Sequence, residues 1–194
     1  MGYFEGMFTH VHQRGRGRRF LSLGLLTLAG LAGTAGAQVV SRDRSFAGLA
    51  NNEFPKVVEN GDGRIRPSVR SAWTVDVEAL RRTLASAPRE FSPEAATNPV
   101  VIELPMPGGG LEPFVITNSP VMEPGLAAKF PDIMTFQAVG ANDPSMVGRL
   151  DITPLGFHAM IFTGEGTFYV EPYNRFDPTF AVSFWRRDVG TNPG

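Results

Sequence analysis

Cysteine is absent from all 194 residues. Disulfide staples and thiol chemistry are therefore excluded, and the folded part must rest on its apolar core. Histidine is scarce: His10, His12 and His158 are the only three. No H-E-x-x-H occurs, so the chain carries no zinc-peptidase helix of its own. The longest apolar run, Phe20 to Leu31, falls short of the roughly 20 residues that span a bilayer. An excess of cations is missing too, with 18 basic against 19 acidic residues. Nucleic-acid binding draws most of its affinity from neutralised phosphates, so it is not expected here. Gly108-Gly109-Gly110 lacks the Lys-Ser/Thr and following helix of a phosphate loop and reads as a turn. No G-x-S-x-G is present, and Ser119 and Ser145 have no evident His/Asp partners. No cofactor is expected.

The few cations that exist are placed unevenly. Arg14, Arg16, Arg18 and Arg19 precede the Phe20–Leu31 run, and Ala35-Gly36-Ala37 closes it. A basic start, a short apolar middle and an A-x-A end are the three parts of a secretory signal. Cleavage after Ala37, with Ala35 at the other small position, would leave Gln38 as the new N-terminus. Arg18-Arg19-Phe20-Leu21 resembles a twin-arginine signal without its spacer residue, which favours the general secretory route. The expectation is an exported protein, periplasmic or secreted, with no stable membrane anchoring after cleavage. Four basic and one acidic residue leave with the signal, so the mature chain carries a net charge of −4.

An apolar fraction of 42% and a charged fraction of 19% describe a globular chain, and 22 Gly with 16 Pro favour turns and short strands. Residues 38–72 are polar, contain Asn51-Asn52, Asn60-Gly61 and Asp62-Gly63, and read as a leader with one short strand at Lys56–Val58. Val75 to Ala87 is the one main helix, with Asp76 as its cap, Val77, Leu80 and Leu84 on one face, and Pro88 as its stop. Residues 89–97 read as a loop. Val100–Met106 and Leu111–Thr117 alternate as two strands around the glycine turn. Pro124–Phe130 reads as one or two helical turns, and Met134–Val139 as a strand. Met146–Ile152, Phe157–Phe162, Thr167–Glu171 and Phe180–Trp185 then form an antiparallel meander. The fold class is α+β, mainly antiparallel sheet with a C-terminal meander and one main helix.

Six segments resemble, in order and spacing, the N-terminal propeptide-like domain of secreted bacterial reprolysin-like zinc metallopeptidases. They are Val75–Arg81; Leu104-Pro105-Met106-Pro107; Ser119-Pro120-Val121-Met122 with Leu126 to Ile133; Arg149 to Met160; Tyr169-Val170-Glu171-Pro172-Tyr173; and Phe184 to Asp188. The resemblance covers about residues 73–188. It divides the chain into a signal (1–37), a leader (38–72), a propeptide-like domain (73–188) and a tail (189–194). It implies a non-catalytic module that assists the folding of, or covers, a zinc metallopeptidase domain, which would be its partner. A free-standing secreted binding module for protein or glycan is the alternative.

Three groups of residues remain as candidates. His158, in mid-strand, is either a half-buried, hydrogen-bonded strand residue or a contact to a partner's zinc site. Asp151 and Glu171 are either solvated strand-end carboxylates or, with His158, a hydrolytic set. Tyr169, Tyr173, Phe184 and Trp185 mark a binding face where exposed and core where not. Arg186-Arg187 is either a processing site or a charged strand end.

Overall fold

The computed structural model describes residues 44–59 and 65–190. The proposed cleavage residues Ala35, Ala37 and Gln38 lie outside them. Nine strands form one antiparallel sheet: β1 (Phe46–Gly48), β2 (Ser71–Val75), β3 (Val100–Pro105), β4 (Leu111–Asn118), β5 (Met134–Gly140), β6 (Val147–Thr153), β7 (Gly156–Thr163), β8 (Gly166–Asn174) and β9 (Asp177–Trp185). Four α-helices accompany them among the described residues: α1 (Lys56–Glu59), α2 (Val77–Ala85), α3 (Pro93–Thr97) and α4 (Pro124–Ala127). The chain is thus α+β with a dominant antiparallel sheet.

From β3 to β9 each strand pairs with the next, and the order is completed by β2 on β9 and β1 on β2. Alternation assigns the faces. Ile102, Leu104, Phe114, Ile116, Phe136, Ala138, Leu150, Ile152, Ala159, Ile161, Phe168 and Val170 fill one buried cluster, and their sequence neighbours point outward. At roughly 1.5–3 kcal/mol for each large side chain removed from water, this cluster supplies the folding drive that disulfides would otherwise support. Gly148 faces the same interior, where a Cβ would collide with the Met160 carbonyl and Ile161.

The sheet curls until β1 and β3, the ends of its order, approach each other. Polar side chains tie β2 and β9 to the segment that follows β3. The Trp73 indole donates to Ser183 Oγ at 2.9 Å, Ser183 Oγ donates to the Met106 carbonyl at 2.9 Å, and Ser71 Oγ donates to the Pro107 carbonyl at 2.7 Å. Curling hides sheet edges that would otherwise invite pairing with other chains. Helix α2 begins where Asp76 accepts the Ala79 amide at 2.9 Å, and its Leu80 and Leu84 are fully buried in the main cluster.

Several local expectations change. Val75 ends β2 rather than starting the helix, although Asp76 is the cap. Lys56–Val58 is not a strand: the Val58 and Glu59 amides both donate to the Pro55 carbonyl, closing the turn α1. Residues 89–97 are not all loop, because Ser92 caps α3 and Pro93 occupies its first turn. The polar leader is no mere leader. Residues 46–48 and 71–75 are sheet strands, and Phe46, Phe54 and Val58 are buried. Sparse apolar residues in a polar stretch give no period to read, yet each of these three meets a partner distant in sequence.

Candidate functional site

The outer face of β6 to β9 gathers most of the candidate side chains. Antiparallel pairing sets Asp151 of β6 opposite His158 of β7, and Glu171 of β8 opposite Val182 of β9. Because Ala159 pairs with Val170, His158 and Glu171 are the next opposed positions. Asp151, His158 and Glu171 therefore form one transverse row. His158 Nδ1 lies 2.9 Å from Asp151 Oδ1, and its Nε2 lies 3.7 Å from Glu171 Oε2. The His158 side chain is 17% exposed, Glu171 20% and Asp151 40%.

This arrangement orients an imidazole and can hold it as a cation between two carboxylates. In serine hydrolases the ring nitrogen remote from the carboxylate faces a nucleophilic hydroxyl. Here it faces a second carboxylate. Among the described residues, no group of three or more His, Asp and Glu has metal-holding geometry. His158 is thus mostly buried and hydrogen-bonded to Asp151 within the row.

The aromatic residues separate. Tyr169 lies on the outer face, stacked on Phe184 with centroids 5.6 Å apart and planes at 24°. These two form the floor of a cleft of about 400 Å³, whose walls include Ile65, Glu171, Arg186 and Val189. Trp185, one position on from Phe184, turns the other way and meets Phe168 edge-on at 5.7 Å, with the Arg187 guanidinium 4.6 Å from its ring centroid. Tyr173 is fully buried. Phe54 stacks on it at 3.9 Å, and with Val58, Ala72, Val182 and Phe184 it makes a second apolar cluster on the outer face.

A polar latch closes over Tyr173. Its hydroxyl donates to Glu59 Oε2 at 2.9 Å and accepts from Arg66 Nη1 at 2.6 Å, while Arg70 Nη2 donates to Glu59 Oε1 at 2.6 Å. Desolvation, and then the Glu59 hydrogen bond, raise the tyrosine pKa against the opposing pull of Arg70 and Arg66. Glu59, Arg66 and Arg70 were not legible as a group, because more than 100 residues separate them from Tyr173 and no short motif marks them. No family model, curated protein or solved structure matches this chain.

Contacts link the first, third, fourth and fifth of the six segments singled out above. Arg81, from the first, donates to the Asp132 carbonyl at 3.0 Å and the Thr153 carbonyl at 3.2 Å, in the third and fourth. Arg149 donates to Ser119 Oγ at 2.7 Å and to the Ser119 carbonyl at 2.9 Å. Gly156, at φ 125°, leaves room where a Cβ would strike Pro172. Among the described residues no helix is long and apolar enough to cross a membrane.

Proposed function

We propose that this chain is an exported, non-catalytic module of the type that accompanies a reprolysin-like zinc metallopeptidase, assisting its folding or covering it. The observation that supports the reading is the contact among four of the six resembling segments. Arg81 bonds to Asp132 and Thr153, Arg149 to Ser119, and Gly156 packs on Pro172, so contacts join α2, β6, β7, β8 and the loops after β4 and α4. Residues that resemble a family and also bond to each other act as scaffold, which is what a shared domain fold requires. The Asp151–His158–Glu171 row belongs to that scaffold rather than to a reaction centre. Export rests on the signal pattern before Gln38.

Purified mature chain is expected to leave casein intact with or without added zinc, and zinc-dependent hydrolysis would overturn the non-catalytic role. Capture from culture supernatant on immobilised chain is expected to return a zinc metallopeptidase. The exported form is expected to start at Gln38 by intact-mass measurement. A free-standing binding module for protein or glycan is the second reading, and the open cleft over Tyr169 and Phe184 favours it.

A further inference from the structure

Phe91 is a large aromatic side chain left 94% exposed, and its backbone sits at φ 63°, a region that favours glycine and is an outlier for a bulky residue. The surrounding chain enforces this position. The Ser92 amide donates to the Arg89 carbonyl at 3.2 Å, closing a turn with Phe91 third of its four residues. The Glu90 amide donates to the Asn118 carbonyl at 2.9 Å and the Asn118 amide to the Pro88 carbonyl at 2.8 Å, so the turn is pinned to the end of β4. Backbone strain persists only where the surroundings over-determine it, and it gathers at functional sites.

Beside the pinned turn lies an apolar notch of about 170 Å³. Asn118 forms one edge, and Val121, Met122, Ala127, Pro131 and Ile133 line it. The notch is preformed: the Ser119 amide donates to the Thr135 carbonyl at 3.0 Å, and the Val121 amide to Thr135 Oγ1 at 3.3 Å. Val121, Leu126 and Phe130 stand exposed around it. Phe91 is too exposed to fill the notch of its own chain.

We infer that this face binds a second copy of the chain, with Phe91 of each copy seated in the notch of the other. Shape fits the exchange. An apolar cavity of about 150 Å³ takes up benzene, so a notch of about 170 Å³ has room for a phenyl ring. Placement fits as well, because knob and notch meet at Asn118 on one face, as a two-fold contact between identical patches requires. Charge selects the occupant. Arg89 and Glu90 flank the knob, Lys129 and Asp132 flank the notch, and none of the four has an ion pair among the described residues. Each set carries one cation and one anion, so seating the knob lets both meet the opposite sign on the other copy. An anionic lipid surface would suit cations alone and is disfavoured by these carboxylates. The inference goes beyond the role beside a peptidase and does not depend on it.

The test is sedimentation equilibrium of the full mature chain, with NMR spectra recorded on dilution. A monomer–dimer equilibrium is expected with a Kd of about 100 µM, the weak class that a small interface gives. Dilution shifts should centre on residues 89–92 and 120–134. Phe91→Asn removes the knob and suits the positive φ, so Kd should rise at least about ten-fold without a fall in Tm. Ala127→Leu fills the notch and should weaken association by a similar factor while Phe91 is still present. Lys129→Glu should raise Kd about three- to five-fold, the scale of one exposed ion pair. A chain that stays monomeric up to about 1 mM overturns the proposal. So does a folded Phe91→Asn variant that associates like the parent. Binding of the monomer to anionic lipid vesicles that requires Phe91 would give the face to a membrane and overturns it as well.

Discussion

Tyr173 shows how much one buried hydroxyl can organise. Its ring is stacked under Phe54, and its oxygen joins Glu59 to Arg66. Replacing it by Phe keeps the stack and removes one hydrogen bond from each of Glu59 and Arg66, which should cost about 1–3 kcal/mol in a urea titration. The same substitution tests the pH linkage. A tyrosine whose folded pKa is raised contributes fully below the unfolded value of 10.0, and that contribution is lost as pH rises through the folded value. The parent chain should therefore weaken progressively above about pH 10, and Tyr173→Phe should lack that part of the alkaline decline. Gly148 is the opposite case, a position defined by missing atoms. Gly148→Ala forces a methyl against the Met160 carbonyl and should lower stability by about 1–3 kcal/mol, read as a fall in Tm.

At the scale of elements, local chemistry decided what local chemistry can. Helix α2 starts at the Asp76 cap and buries Leu80 and Leu84, the residues its spacing places on one face. Asp76→Ala should cost about 1 kcal/mol by thermal or chemical denaturation, through the lost bond to the Ala79 amide. The strands from Val100 onward alternate so regularly that they were legible in sequence, and the glycine turn is confirmed by positive φ at Gly109 and Gly110. Misreadings arose where a signal was short. Three residues, Lys56 to Val58, cannot distinguish a strand from a turn of helix, and Ser92-Pro93 was a cap hidden in a polar stretch. β8 and β9 also run longer than their apolar cores, reaching Asn174 and Asp177 around a tight turn.

For the whole molecule, the N-terminal stretch before β2 matters more than its polarity implies. Phe46 enters the main cluster, and Phe54 with Val58 covers Tyr173 and Val182 on the opposite face. A chain beginning at Ile65 should still form the meander but expose that outer cluster. The expected signs are increased binding of a hydrophobic dye and a lower Tm than the mature chain, and an unchanged Tm would show that the covering segment adds nothing.

The sequence by itself determined the absence of thiol chemistry, the main helix and its cap, the order of the meander, and which face of most strands is apolar. These depend on residue type and on periods of two or 3.6, which are local quantities. Only the tertiary structure decided that β2 joins β9, that both reach the segment after β3 through Ser71 and Ser183, and that Asp151, His158 and Glu171 share a row. It also decided that Glu59, Arg66 and Arg70 close over Tyr173. The physical reason is that pairing register and long-range hydrogen bonds depend on how distant segments pack together, and a single residue's chemistry does not specify its partner across more than 100 positions of chain.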